Sequence, residues 1–552
     1  MRWTLTLTLL FLGSSAAAAR YCTSSEPCWP SHFAWAAFNS SINGRLVSPR
    51  PAAWPCHDPH FDAAACADAQ ANWGNSSWRS DQAGAMQGLL WESTGCLIDT
   101  PRNVTCKQGM VPTYAVAAET EEDVSRAVNF ARKYRLKLVV KNTGHDFLGR
   151  STGAGSLSIW THKMGGMNFT DSFVADGCAG DKGIPVVTLG AAVQWYDVYK
   201  AAEEHNVTVV GGAARTVGAA GGWLLGGGHS PLGSTFGMGV DNVLQFRIVK
   251  ANGMVVVANK CENKDLFWAL RGGGGSTWGV VLKVTYKTQR PLKGISVLNF
   301  SVNTTNQQSM AELSNIFVKL IPNISDAGIR GYSLWSPPNS FLANLFQPDG
   351  TDPQVINGTL QPVWDWIAKH PGTQTVTTST THPSFFGYVE GYIGATGIAT
   401  NVWIGTRLVP RGVLQTKSNQ LAYFAMPNNS TISSGALIIG GGVINNVDPD
   451  STGLNPAWRK DALVLWGIGG SWPSSTPADK VKQIKSDVTR LTQELGNVAG
   501  LDHASYFNEA DPNEPQWKRA FFGSHYFRLL SIKRRVDPTG LFSCNRCIGS
   551  QG

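Results

Sequence analysis

An apolar strand running into a glycine-spaced loop sets the first limit on how this chain folds. Leu136 to Val140 is a short apolar run, and Lys141-Asn-Thr-Gly-His-Asp-Phe-Leu-Gly-Arg-Ser-Thr-Gly153 follows it, with glycines at 144, 149 and 153. Glycine lets the backbone approach a ligand closely and turn its N–H groups toward an anion. His145, between Gly144 and Asp146, is then a nucleophile within reach of whatever the anion carries. Upstream, Tyr114 to Ala118 reads as a strand, and Thr120 caps a helix with Asp123 three residues on. Val124, Ala127, Val128, Ala131 and Tyr134 recur at spacings of three and four, the apolar face of that helix. The unit is β-α-β, ending in the glycine loop.

The pattern continues with strands over 156–160 and 186–189, a helix over 193–205 and a strand over 207–210. A second glycine-rich stretch, Gly211-Gly212 through Gly226-Gly-Gly228, is interleaved with Val217, Trp223, Leu224 and Leu225. It reads as backbone wrapped on a ligand rather than linker. Strands over 243–250 and 254–258 flank an Asn252-Gly253 hairpin turn. Asn263 caps a short helix through Leu270, and the cluster Gly272 to Gly275 leads into a strand over 278–286. Beyond about residue 292 the texture becomes mixed. Strands are expected over 386–409 and 435–443, and an amphipathic helix over 478–495.

At 552 residues the chain exceeds one core, so two or three folding units are expected. Residues 1–19 read as a secretory signal, with Arg2, an apolar run from Leu5 to Leu12, and small residues Ala16 to Ala19. No later run is long and apolar enough for a membrane span. Residues 20–108 hold six of the ten cysteines and read as a disulfide-stapled wrap. Connectivity stays open, and the irregular spacings with unclustered histidines argue against a metal site. Asn-x-Ser/Thr acceptors at Asn39, Asn75, Asn103, Asn168, Asn206, Asn299, Asn303, Asn323, Asn357, Asn428 and Asn429 lead us to expect N-linked glycans. The net charge of +8 is diffuse, which argues against nucleic-acid binding. Oligomeric state is not legible.

Three glycine clusters point to a large phosphate-bearing cofactor, but P-loop, dinucleotide-fold and hydrolase-elbow signatures are all missing. Lys141-Asn-Thr-Gly-His-Asp-Phe-Leu-Gly-Arg150 resembles the flavin-attachment loop of the vanillyl-alcohol-oxidase-type flavoproteins, in their berberine-bridge-enzyme-like branch. The likeness runs on in order through Thr216-Val-Gly-Ala-Ala-Gly-Gly222, Gly226-Gly-Gly-His-Ser230, Phe236-Gly-Met-Gly-Val-Asp-Asn242 and Arg271-Gly-Gly-Gly-Gly275. It closes with Tyr506-Phe-Asn508 and Asp537-Pro-Thr-Gly-Leu-Phe542. The signal and glycan acceptors resemble the fungal members.

The resemblance implies an α+β fold: a two-segment PCMH-type FAD-binding domain (109–292 and 501–552). A mixed α+β substrate domain over an antiparallel sheet (293–500) is inserted in it. It implies that His145 is bonded through its imidazole to the 8α-methyl carbon of FAD. Asn142, Thr143, Gly144, Asp146, Gly149 and Arg150 match the pyrophosphate cradle. Thr216, Gly218, Gly221, Gly222, Asp241 and Asn242 match segments lining FAD, and Asn508 matches the return to the isoalloxazine ring. Many relatives attach the flavin a second time through a cysteine; Ala214 stands there, so a single bond is expected. Trp223 replaces a frequent histidine, and Gly212 falls where relatives have a small residue beside the oxygen-reacting carbon.

Tyr506 matches a tyrosine placed over the ring, a candidate base if a cation lowers its pKa. The cation of some relatives would fall near Leu465, where no charge stands. Glu509 is the alternative acid/base, although in an extended segment it would point away from Tyr506. The implied activity is oxidation of an alcohol or C–H group of a small organic substrate. Hydride passes to FAD and dioxygen takes the electrons as hydrogen peroxide, in a fungal secondary-metabolite pathway. Rivals are a carbohydrate oxidase, a redox-neutral flavin isomerase and a non-catalytic flavin-binding protein. An exposed aromatic groove would favour carbohydrate and an enclosed apolar pocket a small alcohol. Tyr332, Tyr388, Tyr392 and Trp403 are candidate lining residues for either.

Overall fold

A computed structural model describes residues 21–394, 398–426 and 431–550. The proposed signal and the acceptors Asn428 and Asn429 lie outside the described residues. Among the described residues the strands fall into three sheets that follow one another along the chain. The first comprises β1 (Leu46–Val47), β2 (Tyr114–Ala117), β3 (Leu138–Lys141) and β4 (Leu157–Trp160), in the order β1-β2-β4-β3. The second comprises β5 (Met167–Phe173), β6 (Ile184–Gly190), β7 (Val243–Val249), β8 (Val255–Asn259) and β9 (Val280–Lys287), in the order β5-β6-β9-β7-β8.

In the first sheet, β2 and β3 both pair parallel with β4, the geometry a crossover helix allows. That helix, Glu121–Tyr134, has the expected capping box: Thr120 Oγ accepts the Asp123 amide, and Asp123 accepts the Thr120 amide at 3.0 Å. Its apolar stripe Val124, Ala127, Val128 and Ala131 is fully buried, so β3 is delivered rigidly to the glycine loop that follows it.

The third sheet is antiparallel and seven-stranded. It comprises β10 (Ile295–Asn303), β11 (Arg330–Ser336), β12 (Ser340–Pro348), β13 (Gln374–His382), β14 (Asn401–Pro410), β15 (Ile432–Ile438) and β16 (Ala462–Trp472). Its order is β13-β10-β12-β11-β15-β16-β14. Helices Gln307–Asp326 and Ala478–Ala499 share one apolar core with it. The C-terminal return, with Tyr506, Phe507, Trp517 and Phe521, packs instead into the core of the second sheet. Mixed α+β architecture with antiparallel sheets is therefore what the chain adopts.

Several local expectations need correction. Residues 207–210 form no strand; one bridge, Thr208 to Gln289, is all the pairing they have. The stretch from 386 begins as a helix, Phe385–Tyr392, because Ser384 Oγ caps the Gly387 amide and Phe385, Tyr388 and Val389 bury one face. The strand expected over 435–443 ends at Ile438, where Gly441 and Gly442 turn the chain at φ 76° and 59°. Asn263 adopts φ 47°, and its side chain donates to Val257 O instead of capping the helix.

The cysteines pair as Cys22–Cys28, Cys56–Cys66, Cys96–Cys106, Cys178–Cys261 and Cys544–Cys547. The N-terminal segment is not free-standing. Phe38 stacks on Phe130 at 4.2 Å, and the Gln87 amide donates to Gly144 O at 3.1 Å, inside the glycine loop.

Candidate functional site

The glycine loop and the second glycine stretch meet across an open cleft. Asn142, Thr143, Gly144, His145, Gly218, Gly221 and Gly222 line it, so seven of the expected cofactor residues are brought together. Glycine is required here by close approach. A Cβ on Gly218 would collide with the Asn142 amide, and one on Gly221 would stand 3.3 Å from it. Asn142 donates to Ala191 O, while its buried Oδ1 has no partner among the described residues. The amides of Thr143, Gly144 and His145 make no backbone hydrogen bond among the described residues. Unpaired amide donors and an orphaned acceptor on one loop are the inventory for a large polar ligand with an anionic centre.

His145 is half-buried at the end of this cleft. Its Nε2 lies 2.9 Å from Thr216 Oγ and 3.4 Å from Ser76 Oγ. Burial pushes the imidazole pKa down to about 4, so the ring is neutral and nucleophilic at neutral pH.

The other expected residues are supports. Asp146 accepts the amides of Leu148 and Ser151 and so closes the loop on itself. Gly149, at φ 71°, has no room for a Cβ beside the Trp91 ring. Arg150 lies 3.5 Å over the Phe507 ring and donates to Phe507 O and Asn545 O. It thereby ties the loop to the C-terminal return, and desolvation lowers its pKa to about 9. Asp241 and Asn242, expected to line FAD, are not among the residues that line this cleft. Asp241 forms a bidentate pair with buried Arg459 at 2.7 and 2.9 Å, and Asn242 donates to Phe236 O and Met238 O. Gly212 is covered by Trp223, whose Nε1 would lie 2.9 Å from a Cβ there.

The second part of the site lies where the C-terminal return crosses Gly222 and Trp223. Asn508 Nδ2 donates to Gly222 O at 2.9 Å and to Tyr506 Oη at 2.8 Å. The segment is a turn, with the Glu509 amide on Tyr506 O, not the extended stretch expected. Glu509 is therefore not aimed away. Both residues meet His229: Glu509 Oε1 is 2.9 Å from its Nε2, and the Tyr506 ring stands edge-on to it at 4.9 Å.

Burial, with the Glu509 carboxylate second, raises the Tyr506 pKa. The phenolate reading is corrected accordingly: among the described residues no cation offsets that burial, and Leu465 is a fully buried core residue. His229 was legible only as part of the Gly-Gly-Gly-His-Ser run; its partner lies 280 residues away. Tyr332 Oη, buried and without a partner among the described residues, is pushed up by burial and by Glu509. Tyr388 and Trp403 are core residues bonded to Asn344 and Asp511.

Two family models match this chain: an FAD binding domain over residues 112–259, and "berberine and berberine like" over 505–549. An uncharacterized FAD-linked oxidoreductase of Arthroderma benhamiae is 40% identical, covering 96% of this chain and 94% of the relative. The chain belongs to the FAD-linked oxidoreductases of the vanillyl-alcohol-oxidase and berberine-bridge-like family. A second FAD-linked oxidoreductase, apf9 of Gibberella fujikuroi, is 35% identical over 99% of this chain and 97% of its own. Among solved structures, the VAO-type flavoprotein MtVAO713 of Myceliophthora thermophila superimposes with a TM-score of 0.88 at 28% identity, over 96% of this chain and 97% of that one. The berberine bridge enzyme of Eschscholzia californica shares the fold, at a TM-score of 0.64 and 17% identity over 79% of this chain and 90% of that one. This FAD-linked oxidoreductase is thus an enzyme whose cofactor is FAD and whose substrate is a small molecule. The glycine cleft, with its orphaned Asn142 Oδ1 and open amides, fits that cofactor.

Proposed function

We infer that this protein is a secreted oxidase that holds FAD through a single bond at His145 and uses Glu509 as the proton acceptor. FAD, when bound, accepts a hydride and passes its electrons to dioxygen, releasing hydrogen peroxide. Residues 109–292 and 501–552 hold that cofactor, and residues 293–500 cover the substrate. The observation that carries the reading is the Tyr506–His229–Glu509 cluster, fastened by Asn508 to the rim of the cleft that His145 closes.

Glu509 is partly exposed, and His229 Nε2, 2.9 Å away, holds its carboxylate in place. Carboxylates so placed serve as general bases. Tyr506, whose proton burial retains, orients a substrate oxygen by hydrogen bonding. Ala214 leaves the second attachment position without a thiol. Tyr388 and Trp403 are spent in the core, so no aromatic platform for sugar stacking is left from them. A small, largely apolar alcohol or polyketide-like substrate fits better than a carbohydrate. The fungal FAD-linked oxidoreductases among the relatives support a role in secondary-metabolite biosynthesis. Five disulfides and the density of glycan acceptors support secretion.

Two measurements test the reading. Acid-precipitated wild type should give a yellow pellet that His145→Ala abolishes; a colourless wild-type pellet sinks the covalent bond. Anaerobic mixing with a panel of apolar alcohols should bleach the flavin absorbance, and air should then yield one peroxide per turnover. Turnover without bleaching would instead make this a redox-neutral isomerase.

A further inference from the structure

The N-terminal segment contributes a side chain to the His145 site. Ser76 opens the short helix Ser76–Ser80, whose first amides are capped by Asn75 Oδ1. Its Oγ lies 2.7 Å from Thr216 Oγ and 3.4 Å from His145 Nε2. Both hydroxyl residues are buried. Ser76 is held there by Gln87, whose Nε2 donates to Ser76 O at 3.1 Å and to Thr143 O at 3.0 Å. Thr216 is held by its own turn, the Val217 amide on Ala214 O, and by the Tyr196 amide on Arg215 O. Three segments far apart in sequence therefore converge on one imidazole nitrogen.

We propose that the Ser76–Thr216 hydroxyl pair is the positioning device for flavin attachment: it accepts a hydrogen bond from Nε2–H of His145 and thereby presents Nδ1, lone pair free, to the cofactor. Nδ1 has no protein partner among the described residues, so a proton placed there would lack an acceptor that the hydroxyls offer at Nε2. Desolvation keeps the ring neutral, which leaves only this choice between tautomers.

The inference rests on the covalent reading above. One methyl C–H bond of the flavin breaks and an Nδ1–C bond forms. The imidazole keeps its Nε2 proton hydrogen-bonded to Thr216 Oγ while Nδ1 attacks, and that proton is then lost to water. Two electrons and two protons leave with dioxygen as hydrogen peroxide. Because Ser76 belongs to residues 20–108, attachment also requires that this segment be docked. It is then a participant in maturation and not only a covering.

The experiment loads flavin into wild type, Thr216→Val, Thr216→Ser and Ser76→Ala and follows the yellow colour of acid pellets with time. Total bound flavin is read before acid. Thr216→Val should retain non-covalent FAD while its attachment rate falls by about tenfold, the fold-change expected for one hydrogen bond. Thr216→Ser should restore the rate, which a merely structural loss would not do. Should Thr216→Val bind no flavin at all, Ser76→Ala decides: slowed attachment supports the positioning role and wild-type attachment overturns it. Equal rates in all four proteins overturn the positioning role alone. A colourless wild-type pellet overturns the covalent reading and the positioning role with it.

Discussion

Removing the Asp241 carboxylate separates two roles for one residue. The family pattern makes Asp241 a flavin-lining residue; its geometry makes it half of a buried ion pair. Arg459 and Asp241 side chains are 1% and 8% exposed. Their two hydrogen bonds are 2.7 and 2.9 Å long, and Asp241 Oδ2 also accepts the Met238 amide at 2.9 Å. Asp241→Ala leaves a buried guanidinium with no counter-charge and only Ile444 O as an acceptor, which costs about 3–5 kcal/mol. In a folding unit of about 200 residues, each kcal/mol lowers Tm by roughly 2–4 °C, so a drop of about 6–20 °C is expected. Scanning calorimetry of the flavin-loaded protein reads this directly. The double change Asp241→Leu with Arg459→Met should recover most of the loss, because an apolar pair avoids the desolvation cost. An unchanged Tm together with loss of flavin would refute the argument and return Asp241 to the cofactor.

Glu509→Gln should lower the rate of anaerobic flavin bleaching by about 10²–10⁴-fold, the usual worth of a general base. His229→Asn should give a smaller loss, since the Glu509 carboxylate stays and loses only its anchor. Gly218→Ala should abolish flavin loading, measured as absorbance per mole of protein, because the new methyl collides with the Asn142 amide. In flavin-free protein, His145 has a folded pKa of about 4 against an ordinary 6.5. The unfolded chain therefore binds the extra proton, and stability is full above pH 6.5 and falls as pH drops through about 4. His145→Ala should flatten that segment of the thermal-stability profile.

The local grammar of the cofactor half was open to reading because its signals are short-range. The Thr120–Asp123 capping box and the stripe Val124 to Ala131 act within one helix, and the glycine loop follows β3 directly. Short-range reading failed where partners decide. Residues 207–210 carry strand-like side chains but find one bridging partner, and Phe385–Tyr392 became a helix through the Ser384 cap and the packing of one face. The ordered motifs and the chemistry of His145 are properties of the sequence alone, since each is written in a single segment, whereas the bar to a Cβ at Gly218 and Gly149 comes from Asn142 and Trp91 in other segments. Tertiary structure alone decided that Asp241 faces Arg459, that Glu509 turns to His229, and that Ser76 reaches His145. Each of these depends on a partner between 69 and 280 residues away. No local periodicity carries that information; it exists only once three sheets and an N-terminal wrap have closed around the same cleft.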